Sequence, residues 1–378
     1  MNIGIDARGL WEKKSGIGIY IEQIIKKLNE TDRENKYILY STKEIVLDFK
    51  LNENFIVKQN IKGIGSLWFY FKAPKVLKED NIDTFWGTQH LLPKKNKYTK
   101  NIKFVLTIHD LAIKKLKTVG SLKNTIVQKI FLKRSIKKAD KIIAISEATK
   151  KDIIEYYKIN ENKIKVIYNG TNLQEDDTEI SENDKNIIKE KMKIGDNPFL
   201  LFVSTIEPRK NVETLIRAFE YIKRKEDTKL KLILAGGLGW KYENVLDLID
   251  NSDFKEDIIM PGYISNLEKK YLFENTKCFV YPSLYEGFGL PLLEAMVNKT
   301  LVVTSNTSSL PEVGGDVAYY YEGVLNYGEL GNKIIEIINL SEEARNEQIA
   351  KGLDQIKKFT WEKCKNETLD ILSNRKFL

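Results

Sequence analysis

The stretch Tyr281-Pro-Ser-Leu-Tyr-Glu286-Gly-Phe-Gly289-Leu-Pro291-Leu-Leu-Glu294-Ala-Met296 decides how this chain is read. It continues the apolar run CFVYPS (278–283), which has the length and β-branched or aromatic content of a buried strand. Gly287 and Gly289 then let the backbone approach a ligand closely. Pro291 suits the first turn of a helix, whose leading N–H groups can bind phosphate or a sugar oxygen. Glu286 falls in the loop and Glu294 about one turn into the helix, so both carboxylates can accept hydrogen bonds from sugar hydroxyls at different depths of one pocket. The same spacing also fits a loop charge followed by a favourable helix-dipole partner.

Working outward, the strand–loop–helix unit repeats. Upstream lie PFLLFVS with helix 211–225, KLKLILAGG with helix 241–251, and DIIMPGY with helix 266–275. Downstream lie LVVTS and helices near 325–339 and 342–357. The first half has the same rhythm. IGID leads into SGIGIYIEQIIKKLNE, with Ile19, Ile21, Ile24, Ile25 and Leu28 at near-helical spacing. Strand-like KYILY, FIVKQ, DTFWG, KFVLTI, KIIAI and KVIY are interleaved with helical stretches at 66–79, 121–138 and 147–158. Alternation of this kind means βαβ units and parallel sheets. It breaks at the polar, acidic stretch near 172–196, which ends before Pro198 and reads as a linker with a short helix. The expected domains are 1–175, a linker at 176–196, and 197–359, with a terminal amphipathic segment from about 360 to 378.

Three further loops follow strands. Ser204-Thr205-Ile206-Glu207-Pro208-Arg209-Lys210-Asn211 places two adjacent cations where a diphosphate could be neutralised, or forms an ordinary basic turn. Ser15-Gly16-Ile17-Gly18 opens a helix without completing the dinucleotide fingerprint, since position 21 is Ile. Thr107-Ile108-His109-Asp110 closes KFVLTI, so His109 is either a site residue or a satisfied structural histidine; His90, after DTFWG, is the weaker candidate.

The 378 residues are 42% hydrophobic, with no apolar run long enough for a membrane span. No secretory signal opens the chain, and a cytoplasmic location is expected. Two cysteines and two histidines leave little material for a disulfide framework or a metal cage. Net charge is +8, but residues 1–170 carry +16 and the remainder −8. Residues 91–139 hold 14 basic residues and a single acid, Asp110. Such a region attracts an anionic partner or forms a lysine-rich solvated face.

Taken together and in order, IGIDAR, TIHDL, ADKIIAISEATKKDI, VIYNGT, STIEPRKN, LILAGGLGW, PGYIS, YPSLYEGFGLPLLEAM and TWEK resemble glycosyltransferase family 4 over nearly the whole chain. The resemblance implies the GT-B fold: two Rossmann-like, doubly wound α/β domains facing across a cleft, with a C-terminal helix crossing back to the first. It implies retaining transfer from a nucleoside-diphosphate sugar, bound by the second domain, to an acceptor bound by the first. Glu294 would hold the ribose and Glu286 the donor sugar. Arg209 and Lys210, with the backbone of Phe288, Gly289 and Leu290, would bind the diphosphate. Gly16 and Gly18 would admit the β-phosphate, His109 would contact the sugar, and Tyr263 and Ile264 would flank the nucleobase. His109, Glu286, Arg209 and Lys210 form the expected catalytic group. The protein's cations would replace a divalent metal, so no cofactor is expected beyond the nucleotide-sugar co-substrate.

The opening and LILAGGLGW look most like bacterial enzymes that add mannose in surface-polysaccharide or lipopolysaccharide assembly, which suggests GDP-mannose as donor. The acceptor would then be a glycan or a polyprenyl-diphosphate-linked sugar. The basic region 91–139 would rest peripherally on the anionic inner face of the cell membrane. A nucleic-acid-binding or inert sugar-binding protein is the contrasting reading of that basic half. No nucleic-acid motif and an acidic second half speak against nucleic acid, and the incomplete glycine fingerprint speaks against a Rossmann oxidoreductase.

Overall fold

A computed structural model describes residues 1–12, 15–61, 65–116, 122–171 and 179–374, with the side chains of 65–67 and 122–129 left aside. The chain divides into two compact units, Met1–Gly170 with Phe359–Leu378, and Thr171–Lys358. The sequence boundaries of 175 and 359 therefore lie a few residues from the observed ones. The expected linker region contributes a helix to the second unit.

The first unit runs β1 (Asn2–Asp6), α1 (Gly16–Thr31), β2 (Lys36–Tyr40), β3 (Phe55–Lys58), α2 (Gly65–Phe71), α3 (Ala73–Glu79), β4 (Thr84–Gly87), β5 (Lys103–Ile108), α4 (Ala112–Lys115), α5 (Leu122–Lys138), β6 (Lys141–Ala144), α6 (Glu147–Tyr157) and β7 (Ile164–Val166). Its parallel sheet has the order β3-β2-β1-β4-β5-β6-β7. The strands read as continuous apolar runs because helices cover both faces. The stretch 66–79 is two helices rather than one. Pro74 sits in the first turn of α3, where its missing N–H costs nothing, and the chain re-enters the helix there instead of continuing α2. On α1 the buried stripe is Tyr20, Ile21, Ile24, Ile25 and Leu28, while Ile19 is 39% exposed. Tyr20 thus takes the inward position expected for Ile19.

The second unit runs α7 (Glu182–Lys191), β8 (Phe199–Val203), α8 (Val212–Lys225), β9 (Lys231–Ala235), α9 (Glu243–Asp250), β10 (Ile258–Gly262), α10 (Asn266–Asn275), β11 (Cys278–Tyr281), α11 (Leu290–Val297), β12 (Val302–Ser305), α12 (Leu310–Gly314), β13 (Tyr319–Tyr321), α13 (Tyr327–Ile338) and α14 (Glu342–Ile356). The sheet order is β10-β9-β8-β11-β12-β13, all parallel. Each sheet reverses winding direction once, between β1 and β4 and between β8 and β11. Ligands of doubly wound sheets bind outside the carboxyl ends of the strands at such points.

The tail, α15 (Trp361–Ser373), packs on α1 and β4 of the first unit. Thr84 Oγ1 donates to Leu372 O at 3.0 Å, and Lys103 Nζ donates to the carbonyls of Ile371 and Asn374. Where the tail enters, a Cβ on Gly170 would lie 2.1 Å from Trp361 N, so this crossing of two backbones admits only glycine.

Candidate functional site

At the carboxyl end of β8 the chain leaves the sheet through Ser204–Glu207 and makes a 3-10 turn at Pro208–Lys210. Asn211 closes the turn with φ +56°, a left-handed conformation that asparagine tolerates. Its amide donates to Pro282 O at 3.1 Å and Val324 O at 2.8 Å. Leu284 N donates to Arg209 O at 2.9 Å. These bonds tie the β8 loop to the β11 loop and set Arg209 and Lys210 beside Glu286.

The loop carrying Glu286 has no regular structure and is pinned by hydroxyls from β12 and the turn after it. Thr304 Oγ1 donates to Tyr281 O at 2.8 Å, and Ser305 Oγ donates to Ser283 O at 2.5 Å. Ser309 Oγ donates to the carbonyls of Glu286 (3.0 Å) and Phe288 (2.7 Å), while Ser308 Oγ accepts the Glu286 N–H at 2.8 Å.

Glu286 is 7% exposed and both its oxygens are engaged. Arg209 Nη1 donates to Oε2 at 2.7 Å; Lys210 Nζ donates to Oε1 at 2.7 Å. Tyr281 closes a triangle, accepting from Lys210 Nζ at 2.6 Å and donating to Oε1 at 3.1 Å. Arg209 Nε also donates to Glu207 at 3.0 Å. Burial alone would raise the Glu286 pKa, but the Lys210 ammonium and the Arg209 guanidinium reverse it and pull the carboxyl down to about 2. Burial works against the charge on Lys210 as well; Glu286 outweighs it and holds the ammonium above its ordinary value. Buried ions stay charged only when paired and hydrogen-bonded, and removing one partner of such a set typically costs about 3–5 kcal/mol.

Glu294 lies in the second turn of α11, and Lys269 of α10 donates to its Oε2 at 3.2 Å. Gly289, at the N-cap, has φ +121°, which a side chain would strain, and no side chain caps the helix start. Beyond β10, Tyr263 is 84% exposed and its ring lies over the backbone at Gly237, where a Cβ would come within 2.5 Å of the ring. Ile264, next to it, is half-buried.

In the first unit, Gly16 and Gly18 open α1 beyond the carboxyl end of β1. A Cβ on Gly16 would meet nothing within 4 Å, so packing alone does not demand glycine there. His109 follows β5 and is 6% exposed; its Nε2 lies 2.8 Å from Thr88 O, and its N–H donates to His90 Nε2 at 2.8 Å. The structure thus gathers Arg209, Lys210 and Glu286 into one cluster, sets Glu294 on the helix that follows, and places His109 and the two glycines in the other unit. Tyr281, Asn211, Ser308, Ser309 and Lys269 were not singled out from sequence. Tyr281 stood inside the opening stretch, but only the fold shows that its hydroxyl reaches Lys210.

Residues 16–175 match the family model for Glycosyltransferase Family 4, and residues 183–354 match the model for Glycosyl transferases group 1. An uncharacterised glycosyltransferase of Methanocaldococcus jannaschii is 30% identical over 380 residues, 92% of each chain. The chain belongs to the group 1 glycosyltransferases. O-antigen chain mannosyltransferase B of Escherichia coli is 33% identical to this glycosyltransferase over 183 residues. That match spans about half the length of either protein, 48% of each. The crystal structure of a glycosyltransferase from Rickettsia africae superposes with a TM-score of 0.72 at 18% identity, covering 98% of this chain and 97% of that one. The fold of this glycosyltransferase is therefore GT-B. Among the described residues, no helix is long and apolar enough to cross a membrane.

Proposed function

We propose that this glycosyltransferase moves mannose from GDP-mannose, with retention of configuration, to a glycan or polyprenyl-diphosphate-linked acceptor in cell-surface polysaccharide synthesis. The observation that carries the reading is the buried Arg209–Lys210–Glu286–Tyr281 cluster at the β8/β11 switch point. The similarity to an O-antigen mannosyltransferase supports the choice of sugar.

Cleavage of the anomeric C–O bond loads negative charge onto the departing diphosphate. Arg209 and Lys210, held charged in place, would stabilise that charge, with the Gly289 and Leu290 N–H groups at the start of α11 adding to the site. Fixed donors of this kind are typically worth about 2.7–4 kcal/mol each. These cations would do the work of a divalent metal. Glu294 would take the ribose, Tyr263 and Ile264 the base, and Glu286 the sugar, exchanging part of its ion pairing for a hydroxyl. Gly16 and Gly18 would leave room for the β-phosphate. The acceptor hydroxyl would attack from the face the diphosphate leaves, its proton passing to a phosphate oxygen.

Nucleotide release from UDP-, GDP-, ADP- and dTDP-sugars in EDTA tests this directly. Release from GDP-mannose alone, lost in Lys210→Ala and Glu294→Ala, is expected. Release from a different donor, or release that EDTA abolishes, would overturn the donor or the metal-free mechanism respectively.

The acceptor reading places the enzyme at the cytoplasmic face of the membrane, and one surface of the first unit supports this. Phe71 at the end of α2 is 57% exposed, and Ile130 on α5 is 47% exposed. Tyr70 joins the two helices, 4.9 Å from the Phe71 ring and 4.7 Å from Phe131. The exposed cations Lys133, Arg134 and Lys137 lie on α5, Lys72 directly follows α2, and Lys94 lies in the 91–97 loop, where its N–H bonds Tyr70 O at 3.0 Å. Cations near an anionic surface contribute about 1 kcal/mol each. Leu132 and Ile136 face the core, so only part of α5 is available to lipid; residues 117–121 of the basic region lie outside those described. Sedimentation with vesicles should require anionic lipid and weaken in Phe71→Ser. Binding that ignores lipid charge, or no binding, would remove the membrane from this reading.

A further inference from the structure

At the amino ends of β5, β6 and β7, the opposite end of the sheet from His109, lies a cavity of about 330 Å³ whose other wall is the last turns of α15. Strand register decides what lines it. Lys103 and Val105 share a face of β5, Val105 pairs with Lys141 of β6, and Ile143 of β6 pairs with Lys165 of β7. Side chains alternate along a strand, so the three lysines stand on one face of three adjacent strands. Phe104, Ile142 and Ile164, on the other face, belong to the apolar core. From α15, Glu367 and Asp370 line the same cavity.

Part of this arrangement is structural. Thr84 and Lys103 face each other across β4 and β5, and together they take the carbonyls of Ile371, Leu372 and Asn374 at the end of α15. A cation suits a helix C-terminus, so Lys103 is accounted for. Lys141 and Lys165 are not needed for that cap. Lys141 Nζ donates to Asn162 O at 2.9 Å, in the turn before β7. Among the described residues, Lys165 pairs with no carboxylate, and Glu367 and Asp370 pair with no lysine, although both signs line one cavity. Lys103 is 5% exposed and has no carboxylate partner either. Burial lowers its pKa and the Lys141 ammonium lowers it further. Asp140 opposes this without forming an ion pair to it; its Oδ2 is engaged by Lys95 Nζ at 3.2 Å and by the Phe104 N–H at 2.7 Å.

We propose that the cavity between β5–β7 and α15 is a binding site for a small phosphate ester bearing hydroxyls, of the size of one sugar phosphate, separate from the donor centre. An ammonium has three N–H donors, and two of those on Lys103 are spent on carbonyls, which leaves one for the cavity. A phosphate set against Lys103, Lys141 and Lys165 would take charge-assisted bonds from all three and relieve the repulsion between the first two. The carboxylates of Glu367 and Asp370 are acceptors only, so they repel phosphate and suit hydroxyls. Donors on the strands and acceptors on the helix together match a ligand that carries both groups. Free phosphate or a neutral sugar matches only half of the lining. The volume lies at the lower end for small-molecule pockets, as a single sugar ring with one phosphate requires. Such a ligand touches both walls, so it would hold α15 to the sheet and stabilise the first unit by mass action. The site uses none of the residues assigned to glycosyl transfer.

Calorimetric titration of the full chain with mannose 6-phosphate, glucose 6-phosphate, inorganic phosphate and free mannose tests the site. At least one of the two esters should bind, with inorganic phosphate about tenfold or more weaker and mannose not measurable. Lys165→Glu changes an exposed position, so the fold should survive, and it should weaken the ester about tenfold or more, as for one lost charge-assisted bond. Asp370→Asn, also exposed, should weaken the ester and leave inorganic phosphate as it is in wild type. Lys210→Ala should change none of these affinities, whatever the donor proves to be, which separates this site from the Glu286 cluster. The ester should also raise the melting temperature of wild type and not that of Lys165→Glu. Binding of neither ester would overturn the proposal. Inorganic phosphate binding as tightly as the esters would reduce the cavity to a general anion site and overturn the ligand class. Binding lost in Lys210→Ala and kept in Lys165→Glu would place the ligand in the donor centre and overturn the site.

Discussion

Two centres at strand ends of this enzyme treat buried polarity in opposite ways. Between β8 and β11, four charged side chains, Arg209, Lys210, Glu207 and Glu286, are joined in ion pairs, and the two cations hold the buried Glu286 ionised. At the ends of β4 and β5, the buried polar groups around His109 are a carbonyl, a second imidazole, a hydroxyl and a phenol, and the histidine stays neutral. The charge of the surrounding halves runs the other way: the residues up to 170 carry +16 and the rest −8. Net charge is set by solvated surface, whereas a site's charge is set by which groups are buried against which. An ion-paired centre is thus built inside the acidic half, and an uncharged polar one inside the basic half.

The contrast breaks most readily at Lys210. Lys210→Ala should lower donor turnover by about 10²–10³-fold, the loss of one fixed charge-stabilising donor, and lower the melting temperature by leaving Glu286 short of a partner. Activity within a few fold of wild type would show that the cluster is structural. Glu286→Gln sharpens the electrostatic half. The Glu286 pKa is depressed on folding, so its contribution to stability is full above the ordinary carboxylate value and is lost as pH falls from about 4.5 toward about 2. Denaturant titrations should show that segment of the acid profile, on the order of 3 kcal/mol, reduced in the variant. A wild-type profile in Glu286→Gln would mean that the carboxylate is not paired as seen.

Tyr281→Phe removes one hydroxyl that touches both Lys210 and Glu286, and turnover should fall about 5- to 30-fold, as expected for one or two buried hydrogen bonds. The smallest effect belongs to Lys269→Met. Its pair with Glu294 is partly exposed, so the donor KM should rise only about 2- to 5-fold with kcat unchanged. A fall in kcat instead would move Lys269 from orienting the Glu294 carboxylate to the reaction itself.

Much of the architecture was legible in the residues. Apolar runs such as FLLFV and KLILA can only be strands buried on both faces, and helices between them force parallel crossover. Strand β13, Tyr319–Tyr321, was not legible, because three residues at a sheet edge carry no periodicity. The tail's place in the first unit followed from family likeness. Its physical basis, Gly170 against Trp361 and Lys103 against the end of α15, joins residues too far apart in sequence for any pattern to show.

The amino-acid order by itself determined which residue types stand at each strand's carboxyl end: two cations after β8, a carboxylate after β11, histidines after β4 and β5. Local periodicity suffices for that, since strand and helix spacing are short-range properties. Only the tertiary structure decided what those groups are to one another. It closed Tyr281 onto Lys210 and Glu286, brought Ser308 and Ser309 under the Glu286 backbone, and set Thr88 O against one nitrogen of His109 and not the other. Charge state and tautomer depend on burial and on partners a few ångströms away, and parallel crossover brings those partners from different strands of the sheet.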